Sequence, residues 1–184
     1  MLLSTFVWRF CLQLKKPWSI KSAKNYATIL IILFLVHPTL TSVLFKAFYC
    51  QNINDKYRLV EELSEICWSD SHLYFAGSFG VVGLLFWVIG IPLTTWSMLR
   101  EVKHNLSMQR VRAQYGFLFK GYKHKAYYWE TVIMFRKVLV SFISVFLKSY
   151  GVVVQALVSE LLLVFFILVT LKVQPYDTRI LNFI

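Results

Sequence analysis

Residues 151–173 read GVVVQALVSELLLVFFILVTLKV, and this stretch decides the fold class. Its only charged residues are Glu160 and Lys172. At ~1.5 Å per residue, a helix of this length reaches across the ~30 Å hydrocarbon core of a bilayer. Backbone amides inside a bilayer need partners within their own segment, and an α-helix provides them. The sequence therefore predicts a transmembrane helix at 151–173.

Three further stretches pass the same test of length and composition, at residues 26–49, 73–99 and 127–147. The second is rich in glycine, and we expect it to end near Pro92. The whole chain has 184 residues, of which 58% are apolar and 16% charged, with a mean hydropathy of +0.58. A soluble domain of this size leaves too much surface exposed to hide that apolar fraction. The sequence thus predicts an all-α membrane protein with four transmembrane helices.

Residues 1–25 precede the first span. They begin MLLSTFVWRFCLQL, with no basic start and no small-residue cleavage site, so they do not resemble a secretory signal peptide. The apolar part before Lys15 is too short to cross a bilayer. We expect an N-terminal interfacial amphipathic helix, with Trp8 and Phe10 towards lipid and Lys15 and Lys16 among the headgroups.

The connecting segments differ in charge. Segment 50–72 is acidic, whereas segment 100–126 and the leader 1–25 are strongly basic. Basic segments stay in the cytoplasm, so we place the leader, 100–126 and the tail 174–184 there and the acidic loop on the exoplasmic side. We expect the tail to be incomplete. The clustered basic charge predicts a bilayer with anionic headgroups as the partner and argues against nucleic acid, despite a net charge of +11.

Cys50 and Cys67 flank the acidic loop. On the exoplasmic side they are able to close it as a disulfide, worth ~3 kcal/mol on loop-entropy arguments. Two free thiols are the alternative, expected if the loop faces a reducing compartment.

Polar residues inside the third and fourth spans form the first candidate site: Glu130, Arg136, Lys137, Gln155 and Glu160. Each charge costs about 2.5–3.5 kcal/mol at the bilayer centre unless it has a partner. Glu130 and Lys137 share a helix face but lie ~10 Å apart along it, so the partner must come from elsewhere. We expect Glu160, with Gln155 beside it, to supply that partner. An ion or proton pathway and a set of interhelical bonds that fix the bundle both remain open.

His37 and Pro38 interrupt the first span, and proline predicts a helix kink there. Proline frees a carbonyl one turn earlier, which nearby hydroxyls such as that of Thr41 are able to satisfy. We interpret His37 as a hydrogen-bonded structural residue, with a proton sensor or ligand as the alternative.

Small residues line one side of the second span, among them Ala76, Gly80 and Gly83. Small residues four apart let another helix approach closely. The pattern predicts close helix packing, either within the chain or in an oligomer.

The sequence contains no phosphate-binding glycine loop, no metal-ligand spacing and no nucleophile motif. The four histidines fall on different segments. We therefore expect no enzyme activity, no cofactor and no metal.

Several strings resemble a known family. They are LFLVHPTLTSVLFKAFYC (33–50), ICWSDSH (66–72), GIPL (90–93), YGFLFKGYKHKAYYWETVIMFRK (115–137) and QPYDTRILN (174–182). Their order resembles the C-terminal multi-span region of large cysteine-rich or repeat-built surface proteins of unicellular eukaryotes, whose membrane part is similar to transient-receptor-potential (TRP) proteins. The likeness covers residues 21–182.

The resemblance implies a paired Cys50 and Cys67, and a charged helix face formed by Trp129, Glu130, Arg136 and Lys137. It also implies part of a TRP-like ion channel or transport bundle, assembled with other membrane chains or as a homo-oligomer, in a plasma or ciliary membrane. The alternative is a non-catalytic membrane anchor or accessory subunit of a large membrane complex, including one in an organelle's inner membrane.

Overall fold

The computed structural model describes the backbone of residues 20–177 and the side chains of residues 25–177. The predicted interfacial helix, with Trp8 and Phe10, lies outside the described residues apart from its last few positions. The tail beyond residue 177 also lies outside them.

The described chain is mostly helical. Its helices are α1 (Ile20–Lys46), α2 (Asp70–Val102), α3 (Gln109–Phe119), α4 (Trp129–Phe146) and α5 (Val152–Val173). Short 3₁₀ turns precede α4 and α5 at His124–Ala126 and Lys148–Tyr150.

Within residues 20–177, three helical stretches are long and apolar enough to cross a membrane: Asn25–Lys46 within α1, all of α2, and α5. The predicted third span corresponds to α4, which has 18 residues. It is less apolar than the others because Glu130, Arg136 and Lys137 lie in it. Length and composition therefore identify three membrane-compatible helices rather than the four that we expected.

The acidic segment is not a plain loop, which corrects the all-α prediction. It contains two antiparallel strands, β1 (Cys50–Ile53) and β2 (Lys56–Leu59), joined by a two-residue turn. Both turn residues, Asn54 and Asp55, have positive φ angles of 52° and 60°. Short polar residues tolerate this conformation, which matches the twist of a tight hairpin.

The predicted disulfide is confirmed. Cys50 is bonded to Cys67 with a Cα–Cα distance of 6.4 Å. The bond joins the start of β1 to the segment that leads into α2, so the hairpin is attached to both helices beside it.

Helix α1 lies at the centre of the bundle. It runs antiparallel to α2, since Leu44 lies against Gly83 near one end and Tyr26 donates a weak hydrogen bond to Met98 near the other. It runs parallel to α4, with the rings of Phe45 and Phe142 5.6 Å apart. The buried cluster at the Tyr26 end comprises Tyr26, Phe34, Ile91, Leu99, Tyr115, Leu118 and Met134.

Helix α2 does not end near Pro92 but continues to Val102. Before Pro92 it contains two π-helical stretches, Ala76–Gly80 and Leu84–Gly90. In a regular α-helix the proline ring collides with the carbonyl four residues earlier, and a wider π-helical turn before it relieves that contact, so the helix continues.

Candidate functional site

The part of α1 next to Pro38 is joined to α2 by a reciprocal pair of hydrogen bonds. The His37 Nε2 atom lies 3.1 Å from the Trp87 carbonyl oxygen, and the Trp87 indole N–H donates to the His37 carbonyl at 3.3 Å. The two rings are stacked, with centroids 6.1 Å apart. Thr41 Oγ1 also donates to the His37 carbonyl, at 2.7 Å. We call this arrangement, formed by His37, Thr41 and Trp87, the clasp.

The Trp87 carbonyl is available to His37 because of the register of α2. In a π-helical turn, the partner of this carbonyl is the N–H five residues on, which is position 92. Pro92 has no N–H. A carbonyl oxygen only accepts, so His37 Nε2 must carry the proton and supplies the missing donor.

The clasp agrees with the structural interpretation of His37, although its partner was not foreseen. Thr41 was one of several nearby hydroxyls, with Thr39 and Ser42, that are able to satisfy the carbonyl freed by Pro38 one turn earlier. Instead, Thr41 bonds the carbonyl of His37, four residues before it. His37 is 1% exposed, and its Nδ1 atom has no hydrogen-bond partner among the described residues.

Two of the predicted packing residues of α2, Gly80 and Gly83, lie against the end of α1 and the turn that follows it. Ala76 is buried with 1% exposure. A Cβ atom at Gly80 would lie 2.6 Å from the Phe48 ring, and one at Gly83 would lie 2.7 Å from Leu44. Distances this short require a neighbouring atom to move, so the absence of side chains at these glycines permits the observed approach of α2 to Leu44 of α1 and to Phe48, which follows α1.

At the opposite end of the bundle, Glu130 pairs with a tyrosine rather than with a base. The Tyr122 hydroxyl donates to the Glu130 carboxylate at 2.9 Å. Burial of the hydroxyl, followed by the charge of Glu130, raises the pKa of Tyr122, so the hydroxyl remains a donor at neutral pH. Arg136 acts on the same hydroxyl in the opposite direction. Tyr122 also packs on Tyr176, with ring centroids 5.6 Å apart.

The structure does not bring Glu160 to the other polar residues of the predicted set. Gln155 faces α4 and donates to the Ser144 carbonyl at 3.0 Å. Glu160 lies about 140° further round α5, at 100° per residue, and is exposed. No ion pair within 4 Å joins it to Arg136 or Lys137, all three of which are described. A continuous polar pathway through these residues is therefore not formed within the described chain.

His72 lies beside the disulfide. Its Nε2 is 3.2 Å from the Ala47 carbonyl, and its Nδ1 accepts from the Trp68 N–H at 3.4 Å. The sulfur atoms of Cys50 and Cys67 lie within 4.8 Å of its ring nitrogens. Because thiolates are the sulfur ligands of metals, the disulfide leaves these cysteines without that capacity. His72 instead ties the hairpin region to the end of α1.

These features define a class of protein: a helical, membrane-compatible bundle with a disulfide-closed hairpin at one end. No family model matches the chain, and no solved structure matches it.

One curated relative supports the resemblance to cysteine-repeat proteins in part. Over 163 residues the chain is 31% identical to "Cysteine repeat modular protein A" of Toxoplasma gondii. The match covers 80% of this chain and 5% of the relative, so the chain spans about a twentieth of that protein's length. The likeness to TRP proteins finds no support in these comparisons.

Proposed function

We propose that this chain is a four-span membrane module that anchors a large cysteine-repeat surface protein. Two arguments support the proposal: the way the segments pair at one end of the bundle, and the use of its buried polar groups to hold helices together.

The pairing of segments at one end of the bundle determines how many times the chain crosses the membrane in this proposal. Residues 121–123 pair with residues 175–177: the Lys123 N–H donates to the Pro175 carbonyl at 2.7 Å, and the Asp177 N–H donates to Gly121 at 3.0 Å. These segments therefore lie on the same side of the membrane. If α5 crosses once between them, the intervening chain must cross back. Helix α4 is the long helix there, and it packs along both α1 and α5. This pairing is the observation that carries the four-span topology.

The second argument concerns the polar groups inside the bundle. The clasp joins α1 to α2, and Gln155 joins α5 to α4. The Tyr122 hydroxyl donates a hydrogen bond to Glu130 at the start of α4. In hydrocarbon such bonds stabilise helix association because the alternative is an unsatisfied group. An anchor needs a rigid bundle, whereas a gated pathway needs polar groups that remain open to water.

Cysteine labelling in sealed vesicles or intact cells tests the topology. Cysteines introduced one at a time at Glu62, Ser149, Lys123 and Gln174, with Cys11 replaced by alanine and the Cys50–Cys67 disulfide kept, give two pairs of sites. We expect Glu62 and Ser149 to react with an impermeant maleimide from one side, and Lys123 and Gln174 from the other. Labelling of Ser149 and Lys123 from the same side would contradict a crossing by α4. A permeant maleimide serves as the control for accessibility.

A TRP-like ion channel is the second candidate. The observation that favours it is an exposed carboxylate, that of Glu160, in the middle of the apolar helix α5. This carboxylate lies ~12 Å along α5 from Val152, near mid-membrane depth, and faces away from the bundle. A charge there costs about 2.5–3.5 kcal/mol without a partner, so it requires another chain or water beside it.

Glu160→Gln is expected to change conductance or ion preference if the assembled protein is a channel, while Glu160→Asp, which keeps the charge, preserves the preference. Single-channel recording of the full protein in planar bilayers measures both. Identical currents for wild type and Glu160→Gln would assign Glu160 to helix assembly and leave anchoring as the function.

A further inference from the structure

A cavity of about 550 Å³ lies at the end of the bundle that carries the basic segment. It is bounded by the turn after α2, by one face of α3 and by the residues that follow α3. Its volume falls within the range of pockets that hold small molecules. Neither the clasp nor the hairpin involves this cavity.

The cavity wall is cationic on one part and apolar on another. Arg112, Lys120 and His124 supply the basic groups, while Leu106 and Phe119 supply apolar surface. None of the described residues that line it is acidic. Arginine suits a phosphate because its planar fork makes two hydrogen bonds, and lysine adds a compact charge.

One carboxylate beside this region is already engaged. The Glu130 carboxylate accepts a hydrogen bond from the hydroxyl of Tyr122, whose side chain lines the cavity, and Arg136 lies close enough to act on the same hydroxyl. The Asp177 N–H is bonded to the Gly121 carbonyl, which fixes the loop on that side. Arg112 and Lys120 give the described lining two positive charges and no negative one.

We propose that this cavity binds the phosphomonoester group of an anionic lipid headgroup. Helix α3 buries Tyr115 and Leu118 against α1, with the Tyr26 and Tyr115 rings 5.8 Å apart. The cavity consequently lies beside the end of a membrane-compatible helix, where the proposed topology puts the headgroups. Basic pockets beside transmembrane helices on the cytoplasmic face bind such headgroups. The choice of a lipid as the ligand rests on the membrane topology proposed above. The choice of a phosphate group rests only on the residues that line the cavity.

Binding to the purified full chain in neutral detergent tests the proposal. The probes are short-chain phosphatidylinositol 4,5-bisphosphate, soluble inositol 1,4,5-trisphosphate and inorganic phosphate. We expect saturable binding of the lipid, and a tenfold or greater loss of affinity in Arg112→Gln/Lys120→Gln. Both side chains are exposed, so the variant is expected to fold. The matched control is Lys103→Gln/Arg110→Gln, which removes the same charge from the same segment without touching the cavity and should lose less than threefold.

Equal losses in the two double variants, or no saturable binding of any probe, would overturn the proposal. If inositol trisphosphate binds as tightly as the lipid, the proposal that the ligand is a lipid is wrong, and the phosphate site is assigned to a soluble ligand. The cysteine labelling described above does not depend on these residues' charges, so a failed topology and a failed phosphate site give different results.

Discussion

Gly80→Ala is expected to lower the free energy of unfolding by about 1–3 kcal/mol, the usual cost of overpacking a well-packed contact. The new Cβ would lie 2.6 Å from Phe48 Cζ and 2.9 Å from Cε2. Because the aromatic ring is rigid, the contact is relieved only if the Phe48 ring turns away or if α2 moves away from the segment that follows α1. Thermal or denaturant unfolding in detergent micelles measures the loss.

The matched control is Gly77→Ala, three residues earlier in the same π-helical stretch. A Cβ there meets nothing within 4 Å. Alanine restricts the backbone more than glycine does, so this change should be neutral or stabilise the protein by up to ~1 kcal/mol. Shortening the opposing ring with Phe48→Leu should restore part of the stability in Gly80→Ala, as a double-mutant cycle would reveal. Equal effects at Gly77 and Gly80 would contradict the close helix contact.

His37→Leu is the second change with a large expected effect, a loss of about 2–3 kcal/mol. It leaves the Trp87 carbonyl without the donor that Pro92 cannot supply, and an unsatisfied buried acceptor costs about 1–3 kcal/mol. It also removes the ring that stacks on Trp87, worth about 0.5–1.5 kcal/mol. Unfolding of the purified chain, followed by circular dichroism, measures the change.

His104→Leu makes the same chemical change at an exposed histidine of the basic segment and should stay within about 0.5 kcal/mol of wild type. Thr41→Val removes one donor to the His37 carbonyl and keeps the Trp87 bond, so we expect an intermediate loss. A His37→Leu protein as stable as His104→Leu would mean that the clasp does not hold α1 to α2.

Much of the architecture could be predicted from local sequence. The apolar runs at 26–49, 73–99 and 151–173 correspond to three membrane-compatible helices, because in lipid a long apolar segment has few alternatives to a helix. The Cys50–Cys67 disulfide could be anticipated from two cysteines flanking one segment and from the family resemblance. In α4, by contrast, three charges make the hydropathy of the segment ambiguous. A crossing by α4 is supported only by the pairing of residues 121–123, before it, with residues 175–177, after α5.

The hairpin of residues 50–59 was missed because it is short and polar, and its one local signal, Asn54-Asp55, is a weaker turn sequence than Asn-Gly. The sequence also contained a signal for the clasp, which hydrophobic periodicity does not reveal. A proline at position 92 leaves a carbonyl unpaired about one turn earlier, and a buried histidine on the neighbouring helix is a natural donor. Which carbonyl is left depends on whether the turn before it is α- or π-helical.

The sequence by itself determined the solvent: its long apolar stretches require lipid around their helices, and this follows from the composition of each stretch alone. Tertiary structure alone decided which polar residues meet. It directs Gln155 inwards and Glu160 outwards on one helix, pairs Glu130 with Tyr122, and places Arg112 and Lys120 around one cavity. The physical reason is that hydropathy depends on which residues a segment contains, whereas a hydrogen bond depends on the rotation and register of two packed helices.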